Sequence, residues 1–276
     1  MPLVFGAIAP HGGIAIEEAC SPDERDVAVV TRHGMEELGR RFEAARPEVT
    51  VVVTPHNVHI SDAFGVIVAG RVAGSLSGSP AIELDLPSDA DLAWAVLGCM
   101  GLKDLPSAGV SFGSNDPSTA VAPMDWGVLI PLWFMGGRSD PPRPVVVVTP
   151  ARDLPAASHV EAGAAIASAA HHSGRRVALI ASADHGHAHL ADGPYGFDPA
   201  AAQYDALVTD IVRTDSLARL ADIPREMVES AKADSWWQML ILHGAIAADS
   251  VLKGTFISYE APTYFGMLTA AYEQIS

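Results

Sequence analysis

Basic residues are the first shortage in this chain. Lysine and arginine together number 17 against 33 aspartates and glutamates, for a formal net charge of −16. Such a chain is repelled by a phosphate backbone or an anionic bilayer, which argues against nucleic acid and membrane as partners. Cysteine is nearly absent. Cys20 and Cys99 have no metal-ligand spacing between them and read as buried thiols in a reducing compartment. No apolar run reaches the length of a membrane span, and the opening "MPLVFGAIAPHGG" lacks the basic stretch of a signal peptide. The expectation is a cytoplasmic protein. Charge of either sign is sparse at 18%, whereas 49% of the residues are hydrophobic, so a sizeable core is available and disorder is not. Nothing repeats at a fixed period and no linker divides the chain, so residues 1–276 read as a single domain.

What is present is the rhythm of an α/β protein, short apolar runs alternating with helical stretches. Strands are expected at 3–10, 49–55, 63–70, 81–86, 145–150, 177–182 and 254–259. The run "VTVVVTP" is almost continuously β-branched and so reads as a strand covered on both faces. Between 26 and 45, Val29, Met35, Leu38 and Phe42 fall on one helical face. A helix is expected at 88–99 and a helix or broken helix at 124–135. Ser158 and Glu161 have the spacing of a capping box, with Gly174 as the C-cap of that helix. Asp198 and Pro199 open a further helix, and helices fill 215–248. The fold expected is a central, largely buried mixed sheet flanked by helices, with the site at the strand ends.

Eleven histidines are unevenly placed. His11 follows the first strand, His56 the second with His59 one turn on, and His185, His187 and His189 stand together where "VALIAS" runs out. Glu260 follows "TFISY". In a parallel sheet such ends converge on one rim, where α/β proteins build their sites. Two histidines and a carboxylate form a facial triad suited to non-haem Fe(II) with positions left open. The same donors suit catalytic zinc. A single strand-end histidine is more often solvated or capping, and His33, His159, His171, His172 and His243, on helices or helix ends, take that structural reading.

The segments "APHGG", "TPHNVHISDAF", "MDWGVLIPLWFM", "SADHGHAHLADGPYGFD" and "SYEAPTYFGMLTAAYE" occur in the order seen in the class III extradiol ring-cleavage dioxygenases. This superfamily includes the protocatechuate-cleaving β subunit, the aminophenol dioxygenases and the Memo-like proteins. The resemblance runs from His11 to Glu273. It implies an Fe(II) site that opens a catechol or aminophenol ring with O2, with Zn(II), Mn(II) or copper as alternative ions. Its partners are then the aromatic diol or aminophenol and O2, together with a homodimer mate or a small accessory subunit.

Carried over by resemblance, His11 matches the first iron ligand and Glu260 the carboxylate. The form "SPHGPVFSDAF" aligns His56 with the second ligand, while other relatives align His59 there. The form "SGDLSH" puts His187 at the acid–base position, with His185 and His189 beside it. Memo-like relatives tend to carry cysteine where Glu260 stands, so a glutamate there points to an oxygenase. A metal-binding Memo-like protein without ring cleavage and a zinc hydrolase are the rival readings. Trp126 replaces a histidine of the family's "DHG" and is flanked by Asp125 and Gly127. It reads as an indole stacking on the substrate, as a sign of altered activity, or as a packed core aromatic. Tyr195, Phe197, Tyr259 and Tyr264 are further candidates for pocket walls.

Overall fold

Four buried apolar runs form the middle of the molecule, and their register explains why the surrounding layers lie where they do. The structure is a computed structural model and describes residues 3–249 and 251–274. In chain order its strands are β1 (Leu3–Ala9), β2 (Val49–Val53), β3 (Phe64–Ile67), β4 (Arg71–Leu76), β5 (Ser79–Pro87), β6 (Ser107–Val110), β7 (Val121–Pro123), β8 (Val145–Thr149), β9 (Val177–Ser182), β10 (Leu252–Glu260) and β11 (Met267–Gln274). The helices are α1 (Val29–Ala45), α2 (Ala90–Gly101), α3 (Trp126–Phe134), α4 (Ala156–Ser173), α5 (Pro199–Arg213), α6 (Arg225–Ser230) and α7 (Trp236–Asp249).

The large sheet has the order β10-β11-β1-β9-β2-β8-β3-β6. Strands β1, β9, β2 and β8 are mutually parallel, whereas β11 and β3 run against their neighbours β1 and β8, which makes the sheet mixed. Period-two alternation splits each central strand between two cores. Val51, Val53, Leu179 and Ala181 face a layer built by α2, α4, α5 and α7. Val52, Ala178, Ile180 and Val147 face α1, α3 and the small sheet β5-β4-β7. A single α/β domain of three layers results. Among the described residues no helix is long and apolar enough to cross a membrane.

Helices α4 and α7 approach backbone to backbone. A Cβ at Gly163 would sit 1.9 Å from the Ile241 carbonyl oxygen, and one at Gly244 would sit 1.9 Å from that of Val160. Only glycine leaves room for that crossing. The expected helix starts fared differently. Asp198 does cap α5, accepting from the Ala200 N–H, with Pro199 next, and Gly174 ends α4 in the left-handed region at φ 67°. The capping box at Ser158 and Glu161 does not form. Helix α4 begins at Ala156 after Pro155, and the Ser158 N–H already donates to the Pro155 carbonyl. Along α1, Met35, Leu38 and Phe42 are buried while Val29 is exposed.

His159 has a structural place, but in the core and not as the solvated or capping residue expected. It is fully buried, meets the Phe64 ring edge-on at 5.2 Å and places Nδ1 3.0 Å from the Pro155 carbonyl. Burial pushes its pKa down from 6.5 to about 4. Between those two values the unfolded chain binds a proton that the folded chain refuses, so stability falls as pH drops through that window. The expected loss from this residue is roughly 3 kcal/mol. Urea unfolding at pH 7 and pH 4 should show it, and His159→Leu should flatten the dependence. An unchanged slope in that variant would remove His159 as the cause.

Candidate metal centre

The parallel strands β1, β2 and β9 end on one rim, and their next few residues supply most of the site. His11 stands just beyond β1 and is buried. Its N–H donates to Asp184 Oδ1 at 2.9 Å, and its Nδ1 lies 2.9 Å from Ser182 Oγ, which leaves Nε2 as the free ring nitrogen. That atom lies 3.2 Å from Nε2 of His56, which follows β2. The carboxylate of Asp234, two residues before α7, completes the cluster, with Oδ2 3.4 Å from His56 Nε2 and 3.8 Å from His11 Nε2.

Electrostatics keeps both imidazoles neutral. Burial, followed by the neighbouring His56, holds His11 well below its ordinary pKa, and burial also lowers His56. Two neutral imidazoles that turn ring nitrogens on one another beside a carboxylate make a poor hydrogen-bonded set and a good ligand set. Among the described residues this is the one group of its kind, and its ligand atoms all lie within 4.8 Å of one another. Arg152, beyond β8, secures it from outside. Its guanidinium pairs with Asp234, donates to the Pro55 carbonyl at 3.0 Å and lies 4.9 Å over the Trp237 ring. Gln238 donates to the Asp234 carbonyl, and the Asp234 N–H donates to that of Asp184. Asp184 is itself buried, and burial raises its carboxyl pKa.

The group opens into a cavity of about 540 Å³ whose wall includes His187, Trp126, Tyr195, Tyr264 and Phe265. His187 places Nδ1 2.7 Å from the His185 carbonyl. A carbonyl only accepts, so Nδ1 carries the hydrogen and Nε2 keeps its lone pair. Its ring stacks on Phe265 at 5.3 Å, and burial lowers its pKa. Trp126 is half-exposed and lies 4.1 Å from the His56 ring, so it is a cavity wall and not a core aromatic.

Several expected residues lie elsewhere. Glu260 ends β10, which is separated from β1 by β11, two strand spacings or roughly 10 Å. Its Oε1 accepts from the Thr31 N–H at 2.6 Å, in the first turn of α1, where Ala28 offers no side-chain cap. A carboxylate there meets unsatisfied N–H groups and the positive end of the helix dipole. Glu260 is therefore a cap for α1, outside the His11 and His56 group, and Asp234 supplies the carboxylate of that group. His59 is exposed and likewise outside it.

His189 and Tyr259 also stand apart from the cavity wall. Both bond to buried Asp205, His189 Nε2 at 2.9 Å and the Tyr259 hydroxyl at 2.6 Å, and Asp205 accepts the Gly186 N–H as well. Asp125 caps α3 and accepts from Thr54 Oγ1 and Asn57 Nδ2 without lining the cavity. His185 is buried, 3.0 Å from Ser235 Oγ, and its pKa is pushed down to about 4 by burial. It supports the segment that carries Asp234 and does not line the cavity. Sequence reasoning missed Asp234 because the segment 215–248 reads as helical throughout, and this carboxylate stands in a break just before α7. The signal available was a carboxylate two residues ahead of an apolar helix start, "ADSWWQML".

Comparison with known proteins decides the family. The profile described as "Catalytic LigB subunit of aromatic ring-opening dioxygenase" matches residues 6–267. The chain belongs to this LigB family. It is 23% identical over 262 residues to Protein CA_C1420 of Clostridium acetobutylicum, covering 92% of this chain and 54% of that protein. The LigB-family chain thus spans about half the length of this curated relative. Among solved structures, uncharacterized protein JW3007 from Escherichia coli K12 superposes with a TM-score of 0.61 at 19% identity, covering 97% of this chain and 99% of that one. That likeness is one of fold.

Proposed function

We propose that this chain is a non-haem Fe(II)-dependent extradiol dioxygenase that opens the ring of a catechol or an aminophenol with O2. The observation that carries the reading is the pair of ring nitrogens, His11 Nε2 and His56 Nε2, 3.2 Å apart beside the Asp234 carboxylate in the wall of an aromatic-lined cavity. Two histidines and one carboxylate fit Fe(II) and leave positions for other ligands. Fe(II) held by His11, His56 and Asp234 would supply the redox chemistry of ring opening.

The chain's own residues do the rest. Ser182 fixes the orientation of His11, and Arg152 holds Asp234 in place. Phe265, Tyr264 and Trp126 offer aromatic faces to a flat ring. A catechol must give up a proton on binding and the ring-opened product needs one returned. His187 is suited to both steps. Its Nδ1–H is fixed on the His185 carbonyl, its Nε2 lone pair is available, and its lowered pKa keeps it a base near neutrality.

The test is anaerobic reconstitution with Fe(II) and, separately, Zn(II), followed by oxygen uptake with a catechol and aminophenol panel. The expected result is one O2 consumed per ring opened with Fe(II) and none with Zn(II). Stoichiometric Fe(II) without oxygen uptake on any member of the panel would overturn the reading. Hydrolytic activity with Zn(II) alone would reassign the same three ligands to a zinc enzyme.

A further inference from the structure

The walls of the 540 Å³ cavity are unusual in what charge they carry. No lysine or arginine lines it, while three acidic side chains do: Asp234 and Glu24, and Asp184 beside His11, whose burial disfavours its charged form. Four aromatic rings share the same lining, namely Trp126, Tyr195, Tyr264 and Phe265. Three of them form a connected wall, with Tyr264 4.9 Å from Phe265 and 6.3 Å from Tyr195. Aromatic faces with a carboxylate and no competing base are the chemistry that recognises an ammonium group. A carboxylated ring would meet no basic side chain in that lining and would be repelled by the chain's net charge of −16.

Glu24 is held ready for such a role. It ends a short turn at Pro22–Glu24, where Oε2 accepts from the Ser21 N–H at 2.9 Å and the Ser21 hydroxyl at 2.7 Å. Those two bonds keep the carboxyl ionised, and Oε1 takes no part in them. Among the described residues no basic side chain pairs with it. Arg32 lies nearby, but its guanidinium is spent on the Ile14 and Arg25 carbonyls. The basic residues around the metal centre, Arg152 and Lys232, line a neighbouring hollow of about 460 Å³ on the other side of His56 and His187. Arg152 is already paired with Asp234 there.

We infer that this cavity selects arenes bearing a cationic amino group over arenes bearing a carboxylate, with exposed Glu24 as the recognising anion in the same lining as the aromatic wall. The inference deepens the ring-opening reading and rests on it only for the ring's hydroxyl groups. The charge preference itself belongs to the cavity and is measured without turnover.

Calorimetric titration of the metal-free and the metal-loaded chain with tyramine, 4-ethylphenol and 3-(4-hydroxyphenyl)propionate tests it. Tyramine is expected to bind about tenfold more tightly than the neutral phenol at low salt, and the propionate more weakly than either. The gap should narrow at high ionic strength. Glu24→Gln keeps the turn, because glutamine serves in a capping box as glutamate does. It should reduce the preference to about threefold or less and leave 4-ethylphenol unaffected. Propionate binding as tightly as tyramine would overturn the inference, as would an amine preference unchanged in Glu24→Gln. Propionate binding that disappears in Lys232→Gln would overturn it too, by placing recognition in the neighbouring hollow. If the amine preference holds and no catechol is opened, the dioxygenase reading fails and this one stands. Ring opening indifferent to charge gives the converse.

Discussion

Asp234→Ala is expected to lose stoichiometric iron, while Glu260→Ala keeps it. Asp234 supplies the carboxylate within reach of both His11 Nε2 and His56 Nε2, and Arg152 and Gln238 hold it there. Loss of an outer-shell partner alone commonly weakens a metal site about 10–100-fold, so removal of a ligand should exceed about 100-fold. Asp234→Asn, which keeps the shape and removes the charge, should weaken binding in the same direction without disturbing the fold. Glu260→Ala acts elsewhere. It strips the cap from the Thr31 N–H in the first turn of α1 and should cost about 1 kcal/mol in urea unfolding with iron content unchanged. His59→Ala should also keep the ion, and His56→Ala should lose it. Iron retained in Asp234→Ala but lost from Glu260→Ala would restore the strand-end glutamate as the ligand.

His187→Ala is expected to bind Fe(II) and catechol as the parent chain does while its turnover falls about 10²–10⁴-fold, the range of a general acid–base residue. The geometry behind this is the single free nitrogen. Nδ1 is committed to the His185 carbonyl, so only Nε2 faces the cavity chemistry, and alanine removes it without touching the ligand group. Added imidazole should restore part of the rate, because the vacated space lies between Phe265 and Tyr195. His189→Ala should fall much less, since that ring is bound to Asp205 away from the cavity wall. Full activity in His187→Ala, or iron lost from it, would remove His187 from the acid–base role.

The central strands were legible because they are buried on both faces. Runs such as Val49–Val53 and Val177–Ser182 have no polar alternation to confuse with a helix. Strands β6, β7 and β11 were not read, for opposite reasons. Ser107–Val110 and Val121–Pro123 are too short to show a period, and "MLTAAYEQ" in β11 is rich in residues that favour helices and is extended only because β10 and β1 flank it. Strand β4 was lost in what reads as a Gly/Ser turn. The helix starts divide similarly. Asp198 caps with its own side chain, whereas α4 starts on Pro155, a residue with no side-chain cap to recognise.

For the site, the sequence reads the height of a residue in the sheet but not its lateral place. His11, His56 and Glu260 all end strands that point the same way, and that much was readable. The strand order that sets Glu260 two strands from His11 depends on β11 pairing between them, a long-range event with no local signature. Asp234 arrives from a helix start instead of a strand end, so a rule built on strand ends passes over it.

The glycine contact between α4 and α7 bears on the metal centre from a distance. Helix α7 is a stiff rod of 14 residues, about 21 Å long, with Asp234 just before its first turn and Gly244 just past its middle. The same rod is tied to the rim by Gln238, which reaches both the Ser182 and the Asp234 carbonyls. A methyl group at residue 163 or 244 cannot be absorbed locally, because the atom it meets is backbone. One of the two helices must tilt or slide, and a shift of α7 would carry Asp234 with it while His11 and His56 stay on the segments that follow β1 and β2. Substitution at two positions that touch no ligand atom is therefore expected to displace the carboxylate, from about half a helix away.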